Sequence, residues 1–143
     1  MIKSCTSKSE SLELLKLGID LDTADLIYVG EIKIASYLPG VNFSVVKEKL
    51  MAQEKYDPTT IIPAWTTDAL ISNLPPRIDN KYQLLIFPDL TTNMWVCMYD
   101  EVGKHTHSLE TTADQEYHKS ILKMVKWWLE YRQKEKGEYW ISP

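Results

Sequence analysis

The chain has 143 residues, 44% of them hydrophobic and 25% charged, with 20 Asp and Glu against 16 Lys and Arg for a net charge of −4. These values describe one soluble globular domain and exclude collagen-like, coiled-coil, disulfide-scaffold and disordered chains. Neither half is basic, so nucleic-acid binding led by phosphate neutralisation is disfavoured.

Cys5 and Cys97 belong to no CxxC motif, which removes the zinc-ribbon and thioredoxin readings. Two reduced thiols in a reducing compartment are expected. Residues Met1 to Ser7 hold no apolar core of the kind a signal peptide needs, and no apolar run approaches the ~20 residues of a membrane helix. The expected location is the cytoplasm, with no membrane partner.

Ser7-Lys8-Ser9-Glu10 fits the S-x-x-E capping box, and Leu12, Leu15 and Ile19 follow at helical spacing. Gly18 suits the left-handed position after a helix, so the pattern predicts a helix over residues 8–17, with Ile19 covering its last turn. Ala24 to Val29 is rich in strand formers and closes at Gly30. In the segment 31–60, Ile32, Ile34 and Tyr37 fit one face of a strand, Pro39-Gly40 marks a turn, and Val45 to Gln53 fits a short helix with no cap to support it. Thr66 is an N-cap candidate for a second helix, with Trp65 and Leu70 as its hydrophobic staple; Pro75-Pro76 ends it.

Tyr82 to Phe87 and Met94 to Tyr99 read as two strands apolar on both faces, joined by the loop Pro88 to Thr92. Both of their faces therefore need cover. His105 to Glu110 reads as a polar edge strand. Thr112-Ala113-Asp114-Gln115 fits a second capping box, and Tyr117, Ile121, Met124, Val125 and Trp128 form a helical stripe widened by Leu122 and Leu129. Gly137 is the expected stop. The fold class expected is α+β: a small antiparallel meander of three or more strands packed with a short helix and a long C-terminal helix. Residues 1–143 read as a single domain, with 61–137 as its helix–meander–helix core and 1–60 as an N-terminal extension.

Three elements carry a resemblance. Ile62-Pro63-Ala64-Trp65 precedes the short helix ending at Leu74-Pro75. The strand pair Tyr82 to Ile86 and Met94 to Tyr99 follows, then Asp114-Gln115 through Trp127-Trp128-Leu129. Together they resemble a group of small uncharacterised proteins of gut bacteria and of their phages and mobile elements. The resemblance covers residues 61–137 and reaches Thr23-Ala24-Asp25-Leu26. It implies a compact, cytoplasmic accessory protein; no activity, cofactor or catalytic residue comes with it.

Few residues suggest chemistry. His105 and His107, two apart on a strand, would share a face and thus a metal, with His118, Asp100, Glu116 or Cys97 as a third ligand. No further ligand stands at a recognisable spacing, so no metal is expected. Cys97 beside a histidine would make a nucleophile pair, yet its apolar neighbours Val96 and Met98 point to a small buried hydrophobe. Asp100 and Glu101 are adjacent and diverge. No GxGxxG, Walker, GxSxG or HExxH motif occurs, and no cofactor is expected. A small metal-dependent or thiol enzyme using His105, His107 and Cys97 is therefore one alternative. Lys119, Lys123 and Lys126, near Trp127, Tyr131 and Arg132, offer another: a single-stranded nucleic-acid binder.

The aromatic composition is unusual, with 5 Trp and 8 Tyr against 2 Phe. Tyr and Trp are enriched where an apolar ring meets a wet boundary, including protein interfaces. Trp128 belongs to the core stripe; Trp127 lies about 100° away on the helix and needs a second contact, the sheet or a partner. The reading preferred is a non-enzymatic interaction protein. Trp127, Tyr131, Tyr139 and Trp140 form its candidate surface, with a homodimer built on the C-terminal helix and tail.

Overall fold

Ser7 opens the first helix, α1 (Lys8–Lys16), through the full capping box: its hydroxyl accepts the Glu10 N–H, and the Glu10 carboxylate accepts the Ser7 N–H. Gly18 at φ 92° ends it. The Ile19 N–H returns to the Leu14 carbonyl and the Gly18 N–H to the Leu15 carbonyl, a Schellman closure. The structure, a computed structural model, describes residues 4–104 and 107–139. The buried face of α1 is Ser11 and Leu14, while Leu12 is exposed. The expected stripe is thus rotated, because Ser11 is held inside by a 2.8 Å hydrogen bond to Thr6.

The chain forms two compact units, Met1–Ala69 and Leu70–Pro143. In the first, β1 (Leu26–Tyr28) is flanked by β2 (Ser36–Tyr37) and β3 (Ile62–Ala64), both antiparallel to it. β1 and β3 are buried at every residue, as expected of short apolar strands. Leu26, Tyr28, Ala35, Ile62 and Ala64 pack as one cluster; Ile27, Phe43 and Ile61 form a second. The expected strand face of Ile32, Ile34 and Tyr37 does not form. Only Ser36 and Tyr37 pair with β1, and all three apolar side chains are exposed. The helix α2 (Phe43–Ala52) begins two residues earlier than its sequence pattern suggests, with no side-chain cap from Asn42.

Helix α3 (Thr67–Ser72) follows Thr66, whose hydroxyl accepts the Ala69 N–H as the N-cap reading requires. Trp65 and Leu70 are both fully buried.

In the second unit the sheet order is β4-β5-β6-β7: β4 (Arg77–Ile78), β5 (Tyr82–Asp89), β6 (Met94–Glu101) and β7 (Ser108–Asp114). The meander is present, with β4 added at its other edge. Its third strand is displaced from the expected His105–Glu110 to Ser108–Asp114, and a register shift at Tyr99/Asp100 absorbs the irregularity. Thr112 is therefore a strand residue and not a helix cap. Its hydroxyl donates to the Ser120 carbonyl at 2.8 Å, tying β7 to the helix α4 (Tyr117–Tyr139). Asp114 instead accepts the Glu116 N–H at 2.9 Å.

Helix α4 passes through Gly137, which costs a helix only about 1 kcal/mol relative to alanine and stops it only where the left-handed conformation is adopted. Its buried side is His118, Ser120, Ile121, Leu122, Met124, Val125 and Leu129; Tyr117 is exposed and Trp128 half-buried. The helix lies on the face of β6 that bears Trp95, Cys97 and Tyr99: Trp95 meets Tyr117 at 4.7 Å between ring centroids, and Tyr99 meets Trp127 at 5.9 Å. The pleat turns Leu85, Phe87, Val96 and Met98 to the opposite face, where Phe87 is exposed. The class is α+β, with antiparallel sheets and a long C-terminal helix.

Candidate interaction surface

The residues singled out for chemistry are dispersed. Cys97 is fully buried between β5 and β7, and burial pushes its thiol up to about 12, against a weaker opposing effect of the Thr112 hydroxyl. Burial therefore disfavours the thiolate, the form that attacks or binds metal. Cys5 and Cys97 are free thiols. Asp100 and His118 are buried, on β6 and α4 respectively. His105 lies outside the described residues. His107 is exposed, with Nδ1 3.6 Å from Glu101, which Lys104 also approaches at 3.9 Å. Asp100 and Glu101 take opposite faces of β6, as neighbours on a strand must. Among the described residues no three His, Cys, Asp or Glu side chains come together to hold a metal ion.

The lysine stripe on α4 is partly neutralised. Lys123 Nζ donates to the Ala113 carbonyl at 2.8 Å and pairs with Asp114 at 3.1 Å. The candidate aromatic surface divides. Trp127 finds its second contact on the sheet, at Tyr99, and stacks on Tyr131 at 4.8 Å; Tyr131 also faces Trp128 at 6.1 Å. These rings form a ladder within one unit. Tyr139 ends α4, and Trp140 lies outside the described residues.

Two apolar surfaces stand out that the sequence pattern did not single out. The first surrounds the edge strand β2: Ile34 is 76% and Tyr37 64% exposed, with Ile32 and Val41 exposed nearby. The second is the β5–β6 hairpin tip, where Leu90 is 91% exposed. The tip adjoins an open cavity of about 310 Å³ lined by Pro88, Asp89, Leu90, Asn93, Met94, Trp95 and Gln115. A leucine in the polar run Asp89-Leu90-Thr91-Thr92-Asn93 was its signal. Another open cavity, about 500 Å³, lies at the far end of the same sheet among Lys81, Tyr82, Glu101, Lys104, His107, Ser108 and Leu109. There Glu101 faces both Lys104 and His107, and Lys81 lies over the Tyr82 ring.

Among the described residues no helix is long and apolar enough to cross a membrane. No family model, no curated protein and no solved structure matches the chain.

Proposed function

We propose that the chain is a non-enzymatic interaction protein, a cytoplasmic accessory protein of the phage or mobile-element type that binds a protein partner or self-associates. One observation carries the reading: the exposed apolar side chains Ile32, Ile34, Tyr37 and Val41 in the segment of chain that contains the edge strand β2. An edge strand offers unpaired backbone groups to an incoming strand, and apolar side chains beside it add burial to that pairing. The sealed thiol of Cys97 weighs against the thiol-enzyme alternative.

The test is recovery of partners from the natural host with the tagged wild-type chain and with an Ile34→Asp/Tyr37→Asp variant. Both positions are exposed, so the variant keeps its helical and strand signal in circular dichroism. One protein recovered in stoichiometric amount with the wild type and lost with the variant is the expected result. Equal recovery with both, or a wild-type chain that sediments as a lone monomer and recovers nothing, overturns the reading.

A further inference from the structure

Two turns meet at the end of the second sheet that lies away from the β5–β6 hairpin. Between β4 and β5, Asp79 and Asn80 both take the left-handed conformation, and the Lys81 N–H closes on the Ile78 carbonyl at 3.0 Å. Between β6 and β7, the Glu101 N–H donates to the His107 carbonyl at 3.0 Å. The Val102 N–H donates to the Lys81 carbonyl at 2.8 Å and fastens one turn to the other. Lys81, Lys104 and His107 are thereby gathered from separate parts of the chain around one cavity of about 500 Å³, a volume that suits a small molecule.

The charges there are layered. The Glu101 side chain is 15% exposed, whereas those of Lys104 and His107 are 72% and 79% exposed. The carboxylate therefore lies beneath, and a solute arriving from water meets the cations first. Its contacts with them, at 3.9 and 3.6 Å, are longer than hydrogen bonds, so it orients the cations by charge alone. Lys81 and Lys104 against this one carboxylate give the lining a net positive charge, raised further when His107 takes a proton, in a chain whose net charge is −4. Ser108 adds a hydroxyl whose oxygen accepts the Thr111 hydroxyl at 3.2 Å, which turns its own proton elsewhere. The remaining walls are apolar: Leu109, and the ring of Tyr82 over which Lys81 Nζ stands at 5.4 Å.

We infer that this cavity binds a small phosphomonoester, its phosphoryl group among Lys81, Lys104, His107 and Ser108 and its organic part against Tyr82 and Leu109. A phosphoryl group offers three acceptor oxygens and close to two negative charges, which matches several donors spread around one cavity. An apolar wall beside the cations favours an ester over the bare ion, because only the ester has a body to bury. The net negative charge of the chain opposes a long polyanion, whose charges would run past the cavity onto the acidic surface. The site is separate from the apolar edge at β2 and stands or falls independently of the interaction reading.

The test is a titration of the nitrogen-15-labelled full chain, followed by two-dimensional NMR, with phenyl phosphate, with inorganic phosphate, and with sodium chloride at matched ionic strength. The variants are Lys81→Gln/Lys104→Gln and, as a control on α2, Lys49→Gln. All three lysines are exposed, so the variants fold, and their amide spectra verify this. The expected result is saturable shifts with phenyl phosphate, in roughly the millimolar range for charges this open to water. They centre on residues 79–82, 101–104 and 107–109, weaken by about tenfold in the double variant, and are unchanged in Lys49→Gln. Inorganic phosphate should bind more weakly than phenyl phosphate; equal affinity overturns the ester in favour of the free ion. Shifts reproduced by sodium chloride, scattered over other lysines, or unaltered in the double variant overturn the site.

Discussion

Asp22 caps a helix that begins far along the chain from it. Its Oδ1 accepts both the backbone N–H of Ser44, at 3.0 Å, and the Ser44 hydroxyl, at 2.7 Å, and Ser44 is the second residue of α2. The residue at the N-cap position itself, Asn42, makes no such bond. An orphan N–H of the first helical turn is thereby satisfied from a separate 3-10 turn, Leu21–Thr23, whose own start is capped by Asp20.

The first prediction follows from this bond. The Ser44 hydroxyl and then its N–H hold the Asp22 carboxyl below its ordinary value. A group with a lowered folded-state value stabilises the fold above its unfolded value, near 3.9, and that contribution disappears as pH falls through the folded value. Asp22→Ala therefore lowers the melting temperature at neutral pH. The difference from wild type shrinks as pH drops below about 4. Melts from pH 7 to 2.5 check it; a gap constant with pH would refute the role of the carboxylate.

Thr6 and Trp65 exchange two bonds: the Trp65 N–H donates to the Thr6 hydroxyl, and the Thr6 N–H to the Trp65 carbonyl, both at 3.0 Å. Thr6 Oγ1 also meets Ser11, the Trp65 indole N–H reaches Thr23, and the Tyr28 hydroxyl donates to the Thr6 carbonyl at 2.8 Å. Both residues are fully buried. Trp65→Ala should cost about 3–5 kcal/mol through the cavity it leaves. Thr6→Val should cost about 1–3 kcal/mol, since it keeps the shape but strands the Trp65 N–H and the Ser11 hydroxyl. Denaturant titration of each variant measures both, and a loss under 1 kcal/mol for Trp65→Ala would place that ring in water.

The thiols should differ in reactivity. Cys97 is fully buried with its thiol pushed up to about 12, whereas Cys5 is half-buried. In native protein at pH 8 a disulfide reagent should modify Cys5 first, with Cys97 following only at the rate of unfolding. Fast labelling of Cys97 under native conditions would contradict the packing of β5, β6 and β7 around it.

Trp127 and Trp128 should not be equivalent. Trp127 meets both Tyr99 and Tyr131, while Trp128 meets Tyr131 at the longer distance of 6.1 Å. Trp127→Ala should cost about 1 kcal/mol more than Trp128→Ala, the worth of the added ring contact. Equal losses would mean that the Tyr99 contact contributes nothing to stability.

What the sequence determined by itself is the local grammar. Ser7-Lys8-Ser9-Glu10 and Gly18 bound α1, Thr66 caps α3, and the two apolar runs on either side of Pro88 to Thr92 yield the β5–β6 hairpin. Each signal involves residues within a few positions of one another, so its free energy is realised wherever the segment sits. Tertiary structure decided the remainder. Thr112-Ala113-Asp114-Gln115 has the letters of a capping box, but pairing with β6 claims Thr112 and Asp114 for a strand, because a ladder of backbone bonds outweighs one side-chain cap. Ser11 is buried and Leu12 exposed because Thr6 lies opposite Ser11. Helix α2 was faint in its own letters because its cap is Asp22. Leu90 reads as one residue of a turn until the fold sets the Trp95 hollow beside it. Such features depend on which distant groups meet, and that information exists only once the chain has closed on itself.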